Sequence, residues 1–216
     1  MKDIVFEQRT EIRDSSILEE RFGCLEVDLE EAAVVVFDGS ASLARGVHFR
    51  GFCEIGDQVS IDTGCVLDNV SIGTGTKIRS HSILNNCRFG ENNIIGPYCF
   101  VRDHTRVGDS CIVGSHVEIA RSKLGNDVKI SHQAFVGDAT LDHEVVIGAG
   151  VVFCNFDGNE KQSSVVGMGT LVGSGTLIVS PVVVGAKVIV GAGSVVNKNI
   201  GDNERFVQIR TRKIGG

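Results

Sequence analysis

Tryptophan is absent from this chain, proline occurs twice, and aromatic residues make up only 6% of it. A core built on large aromatic anchors and a proline-rich linker architecture are both excluded. No apolar run approaches the length of a membrane span, and the N-terminal stretch Met1-Lys2-Asp3-Ile4-Val5-Phe6-Glu7 lacks the apolar core of a signal peptide. Neither a membrane partner nor export is expected, and a cytoplasmic location is the default expectation. The seven cysteines are odd in number and contain no Cys-x-x-Cys pair, so a disulfide framework and a zinc knuckle are both unattractive. A basic excess is lacking too: the net charge of −6 argues against nucleic acid as a partner.

What the chain does have is glycine, 27 of its 216 residues, within a composition that is 42% hydrophobic. Such a chain can bury a sizeable core as one domain, and glycine with few aromatics suits tight, repeated turns around small inward side chains. The negative charge is unevenly placed. Residues 1–36 hold ten acids against four bases, and the remainder is balanced.

An internal repeat dominates from Phe37 onward. An aliphatic or aromatic residue recurs every six positions, often followed by glycine, with a small residue four places on. Examples are Ile55-Gly56-x-x-Val59, Val107-Gly108-x-x-Cys111, Ile147-Gly148-x-x-Val151, Val172-Gly173-x-x-Thr176 and Val190-Gly191-x-x-Ser194. The register skips one residue in the hexads starting at Leu67, Leu84, Ile119 and Val136, where the small residue arrives early as Val70, Cys87, Ser122 and Ala139. These skips all fall on one face of a coil made of three hexads. Hexads starting at 55, 72, 89, 107, 124 and 141 form face one. Those starting at 61, 78, 95, 113, 130 and 147 form face two, and those at 67, 84, 101, 119, 136 and 153 form face three. One coil cannot bury its own apolar edge, whereas stacked coils share a continuous core. The pattern predicts a parallel β-helix of about nine coils between Phe37 and Ile200, stacked at about 4.8 Å. Cys53, Cys65, Cys99 and Cys111 take the small inward position and Cys87 its shifted equivalent, which reads as packing rather than redox or metal chemistry.

Three segments follow: an acidic extension (1–36), the repeat body (37–200) and a basic tail (201–216). Within the extension, Ser15 to Gly23 reads as a short capped helix, and Ala32 to Val36 as a strand that caps the first coil. The repeat lapses once, between Phe153 and Val166, extruding the loop from Cys154 to Val165. Loops held by a rigid scaffold commonly carry binding residues.

The stretches Val117-Glu118-Ile119, His132 with Phe135-Val-Gly-Asp-Ala139, Ile147-Gly-Ala-Gly150, Cys154-Asn-Phe-Asp-Gly158 with Lys161, and Val172-Gly-Ser174 resemble one known family. They are similar to the acetyltransferase domain of the bifunctional N-acetylglucosamine-1-phosphate uridyltransferase / glucosamine-1-phosphate acetyltransferases, which are hexapeptide-repeat acyltransferases. The resemblance weakens upstream but extends, through Gly96-Pro-Tyr98 and Val101-Arg102, to about residue 37. It implies a left-handed β-helix, a homotrimer, and active sites in clefts between subunits. No uridyltransferase domain is expected, because only the short extension precedes residue 37.

Acetyl transfer to an amine requires a base, a donor for the tetrahedral oxyanion and a groove for the cofactor arm. The resemblance gives His132 the role of base, and the third place of its hexad should point it outward. It places Ala149, Ser174 and Ala192 in the acetyl-CoA site, with the Ala149 backbone N–H at the oxyanion and Asn155 and Phe156 of the loop beside the cofactor. Independently, the register puts these three small residues in one column leading away from His132, spanning about 14 Å over three coil steps. Arg210, near Arg212 and Lys213, either meets the CoA phosphates or belongs to a solvated basic tail. Glu118 either orients His132 or the acceptor amine, or is simply solvated. No metal is required for this chemistry.

On the acceptor side, Arg102 and Lys161 match the two basic residues that grip a sugar phosphate in the family. Three further acceptor ligands of the family, a Lys, a Tyr and an Asn, are replaced by Ala120, Phe135 and Val146, which removes much of the pocket's hydrogen-bonding capacity. Arg121 stands next to Ala120 but should point elsewhere. The expected function is an acetyl-CoA-dependent N-acetyltransferase acting on an amino sugar, as a sugar phosphate or nucleotide-linked sugar in cell-envelope or glycan synthesis. The alternative is a non-catalytic β-helical trimer that keeps the scaffold. A metal-dependent hydratase is disfavoured, since His81 and His116 share a face but lie two coils apart.

Overall fold

The computed structural model describes residues 4–7, 9–13, 27–29 and 33–208. It is a left-handed parallel β-helix of three-sided coils. Face two shows the stacking most simply. Ten parallel strands, from Ser40–Leu43 to Arg205–Phe206, follow one another in sequence order, each bonded to the next. That is one coil more than the nine counted from the repeat, because Arg205–Phe206 adds a last rung beside Ile189–Val190 although its hexad has lost the glycine signature.

The three faces are those that the repeat defines. On face one Ile55, Ile72, Phe89, Val107, Leu124 and Leu141 are mutual partners in successive coils. On face two the same holds for Ile61, Ile78, Ile95, Val113, Ile130 and Ile147. On face three Leu67, Leu84, Val101, Ile119 and Val136 are stacked in the same way. All of these are buried in one continuous cluster. Each fully buried aliphatic side chain contributes about 1.5–3 kcal/mol of transfer free energy, which the shape of a single coil could not collect. Cys53, Cys65, Cys87, Cys99 and Cys111 lie inside as expected, and burial pushes the thiols of Cys53, Cys65 and Cys111 up to about 11. They are packing groups rather than nucleophiles.

The skipped residues are explained by the corner between faces three and one. Where a residue is missing, one left-handed residue turns the chain, as at Asn69, Asn86, Arg121 and Asp138; in the full-length hexad two do so, Asp103 and His104. The early small residues Val70, Cys87, Ser122 and Ala139 are all buried.

An open-ended solenoid would expose apolar core and unpaired strand edges. At the N-terminal end, Ile4–Glu7 and Thr10–Ile12 run antiparallel to Ser40–Leu43 and Val35–Phe37, and Val27–Leu29 adds a parallel rung beside Val47–Phe49. Ile12, Ala33, Val35 and Phe37 are buried there, with the Phe37 ring edge-on to Phe49 at 6.2 Å. Three strands thus precede the expected capping strand, whose observed span is Val34–Phe37. The expected helix from Ser15 to Gly23 lies outside the described residues. Among the described residues, no helix is long and apolar enough to cross a membrane.

Candidate active site

His132 ends the strand Lys129–His132, one residue before the chain turns from face two to face three. Ile130 points into the core, and His132, two residues on and immediately before the left-handed corner at Gln133, has left the regular pleat and is exposed. It stacks in register on Ser115, and its ring makes no hydrogen bond with the described residues.

The column that leads away from His132 stands as the register predicts. Ile130, Ile147, Val172 and Val190 are successive partners, so His132, Ala149, Ser174 and Ala192 occupy equivalent places two residues on. The backbones between them approach very closely. A Cβ on Gly148 would lie 2.5 Å from the Ser174 nitrogen, and one on Gly173 would lie 2.5 Å from the Ala192 nitrogen. Glycine at those two places is what lets the coils stack. The Ala149 N–H makes no hydrogen bond with the described residues, whereas its carbonyl accepts one from Gly175 at 2.8 Å.

The next residue in each coil is the left-handed corner itself. In the middle coils it is His81, Tyr98, His116 and Gln133; in the later ones it is Gly150, Gly175 and Gly193. Tyr98 stacks on His81 with ring centres 5.3 Å apart and meets His116 edge-on at 5.4 Å. The Tyr98 ring therefore separates the two histidines that a metal site would have had to bring together. Around Gly175 and Gly193 an added Cβ would find nothing within 4 Å.

On face three Glu118 sits in register between Phe100 and Phe135, and Arg102 pairs with Ala120 and then Gly137. Glu118 accepts two hydrogen bonds from Arg102, at 3.1 and 2.8 Å, and the Arg102 guanidinium also meets the Phe100 ring at 5.4 Å and the Asp103 carboxylate. Within the chain, then, the partner of Glu118 is Arg102. Arg121 points away from Ala120, as expected, and grips Asp138 through two hydrogen bonds of 2.7 and 3.0 Å while reaching Asp103 at 2.7 Å. Asp138 also accepts a hydrogen bond from the Asn155 amide. Burial opposes ionisation of Asp138, but the bonds from Arg121 and Asn155 and the nearby charges of Arg121 and Lys161 outweigh it and hold the carboxyl below its usual range.

The extruded loop is thereby tied down at its root. Asn155 is buried against Asp138, and a Cβ on Gly137 would strike both its amide and the Phe135 ring at 2.6 Å. At its tip Phe156 and Lys161 form an antiparallel bridge around Asp157, whose carboxylate accepts from the N–H groups of Glu160 and Asn159 and from the Gln162 amide. Those bonds lower the Asp157 pKa. Lys161 and Phe156 are exposed. The loop thus presents one aromatic ring and one ammonium.

Of the three replaced acceptor positions, Ala120 is fully buried and Phe135 is folded over Gly137, both on face three. Val146 lies on face two, in register with Lys129 and Leu171. One chain does not bring all three together. Arg210 lies outside the described residues. Sequence reasoning missed the series Glu118, Arg102, Asp103, Arg121, Asp138, Asn155. Its signal was the placing of Arg121 and Asp138 one coil apart at the same skipped corner.

The family described as GMPPB C-terminal domain matches residues 32–133. Among curated proteins, the chain is 38% identical over 120 residues to the bifunctional protein GlmU of Synechococcus sp. (strain CC9605), which is 56% of this chain and 26% of that protein. It is 40% identical over 126 residues to the bifunctional protein GlmU of Chromobacterium violaceum, 58% of this chain and 28% of that one. The resemblance read from the sequence is therefore found by direct comparison, although the aligned part spans only about a quarter of those relatives' length. Among solved structures, the UDP-N-acetylglucosamine acyltransferase from Campylobacter jejuni aligns with a TM-score of 0.54 and 22% identity, covering 81% of this chain and 67% of that one. The corresponding enzyme from Bacteroides fragilis gives 0.52 and 16%, with the same coverage. At such identities these two show the shared fold.

Proposed function

We propose that the protein is an acetyl-CoA-dependent N-acetyltransferase acting on an amino sugar, carried as a sugar phosphate or a nucleotide-linked sugar, and that it works as a homotrimer. The observation that carries this reading is the exposed His132 at the foot of a column that is small in the next three coils, beside a second column reduced to glycine. That surface is a smooth track about 14 Å long, suited to a pantetheine arm lying along Ala149, Ser174 and Ala192. Similarity to the GlmU proteins supports the same assignment.

In this reading the acceptor amine attacks the thioester carbonyl and His132 takes its proton. The Ala149 N–H donates to the oxyanion of the tetrahedral intermediate. As the C–S bond breaks, the imidazolium returns the proton to the departing CoA thiolate, so that the amide, free CoA and neutral His132 result. Phe156 and the anchored Asn155 border the cofactor, and Arg210 meets its phosphates.

Arg102 uses three of its five N–H donors on Glu118 and Asp103, which leaves two for an acceptor anion. Lys161, presented by the loop, is the second cation. Glu118 acts by orienting Arg102. Phe135 replaces a polar contact with an apolar wall, so an acceptor with fewer hydroxyl contacts than glucosamine-1-phosphate fits better. The placing of Val146 on another face is met when a neighbouring subunit lends its face two to the site.

The test is CoA release from acetyl-CoA across free, phosphorylated and nucleotide-linked amino sugars, for the wild type and for His132→Ala. Turnover with one acceptor that disappears in the variant supports the mechanism; turnover that survives in the variant overturns it. The full burial of Ala120, where an acceptor ligand is replaced, favours a second reading, a non-catalytic trimer, and silence across the whole panel from an intact trimer would select it.

A further inference from the structure

On face one, the side chains that point outward just before each buried residue also stand in register. Arg88 pairs across the ladder with Arg106, and Arg106 with Lys123. At strand spacing these three cations follow one another at about 4.8 Å. Like charges placed directly opposite each other weaken a sheet. Around the corner Arg102 and Arg121 are neutralised by Glu118, Asp103 and Asp138. Arg88, Arg106 and Lys123 have no acidic partner among the described residues.

A cavity of about 300 Å³ opens beside Arg88 and Arg106, at the corner between faces three and one. Phe52, half exposed, walls one side of it, and Asn86 and the exposed His104 another. The His104 ring makes no hydrogen bond with the described residues. Glu54 bounds the far side, separated from Arg88 by Ser71 in the register.

We infer that this cavity is a binding site for a diphosphate group, held by the Arg88 and Arg106 guanidiniums. Each guanidinium is a planar fork that can take one phosphoryl group through two N–H donors. Two forks one coil step apart suit two linked phosphoryl groups, and Lys123 extends the positive field past them. His104 adds a donor, and Glu54 repels an anion from the opposite end, which fixes the direction in which a ligand lies. A bound diphosphate also removes the repulsion within the ladder, so binding and stability are linked. The site is on a different face from His132 and does not depend on acyl transfer.

The diphosphate could be free or part of a nucleoside diphosphate, in which case Phe52 would stack on the base. The experiment is calorimetric titration of the full chain with inorganic pyrophosphate and with ADP, at constant ionic strength and with sulfate as control. Expected is saturable pyrophosphate binding, with Kd raised about tenfold or more in Arg88→Gln/Arg106→Gln. Arg88→Lys, which keeps the charge but not the fork, should also weaken binding and guards against a folding defect in the double variant. ADP tighter than pyrophosphate, with the difference lost in Phe52→Ala, assigns the site to a nucleoside diphosphate; equal affinity assigns it to free diphosphate. Sulfate binding as tightly as pyrophosphate, or pyrophosphate binding undiminished in both arginine variants, would overturn the inference.

Discussion

The corner between faces two and three is the same turn repeated, yet its two stretches carry opposite surfaces. At His81, Tyr98, His116 and Gln133 the left-handed residue has φ between 46° and 59°, and at Gly150, Gly175 and Gly193 it has φ between 68° and 70°. A left-handed residue with a side chain costs on the order of 1–2 kcal/mol, and the middle coils accept that cost four times in succession. Backbone geometry alone therefore does not demand glycine in the later coils. Crowding does not demand it at Gly175 or Gly193 either, since a Cβ there would touch nothing within 4 Å. Earlier in the chain Gly64 is different, because the His81 ring lies over it. Under the proposed function the bare stretch is where the acetyl-CoA arm lies along the coil edge.

The comparison can be broken at four points, the largest effect first. His132→Ala should lower acetyl-CoA turnover by about 10²–10⁴-fold, the usual worth of a positioned base, with Tm unchanged because the side chain is exposed. Loss of activity together with a large fall in Tm would point to structure instead. Ser174→Phe should raise KM for acetyl-CoA about tenfold or more by placing a ring on the track, again with little change in Tm. An unaltered KM would remove the track from the cofactor site.

Asp138→Ala tests the anchored corner across face three. It strips Arg121 and Asn155 of their shared acceptor and should destabilise the chain by about 1–3 kcal/mol, loosening the loop that carries Lys161. Its pH dependence has a defined sign. The folded pKa of Asp138 is below the ordinary 3.8, so the stability it confers is complete above that value and is lost as the pH falls through the lower folded pKa. The stability difference between wild type and variant, read from urea unfolding at pH 7 and in the acid range, should close at the acid end. Last and smallest, Tyr98→Ala should cost about 0.5–1.5 kcal/mol through the loss of its two ring contacts and leave KM for acetyl-CoA unaltered. A KM effect there would extend the cofactor site into the side-chain-bearing coils.

The comparison also shows what could be read early. The six-residue period named the buried residues, the three faces and the Cys positions, and it placed Ala149, Ser174 and Ala192 in line with His132. It did so because strand facing repeats with the pleat, and because each coil must match the next to keep hydrogen-bonded register. Periodicity assigns an outward residue to its column but does not say which outward side chains bond to one another. For that reason the pairing of Glu118 with Arg102, the anchoring of Asn155 by Asp138, and the stack of Tyr98 between His81 and His116 were not legible. The N-terminal strands were missed because antiparallel pairing at the end of a solenoid leaves no hexad signature, as at Thr10–Ile12.

What the sequence by itself determined was the scaffold. A residue that must be apolar every sixth place, with glycine where coils touch, admits few arrangements other than a stacked helix. Tertiary structure alone decided which charges are satisfied. Arg102 and Arg121 acquire acids from neighbouring coils, while Arg88, Arg106 and Lys123 stack on one another, although all five are simply cations in the linear chain. The physical reason is that charge interactions depend on distance in space, and a coil brings together residues about seventeen positions apart that no local pattern connects.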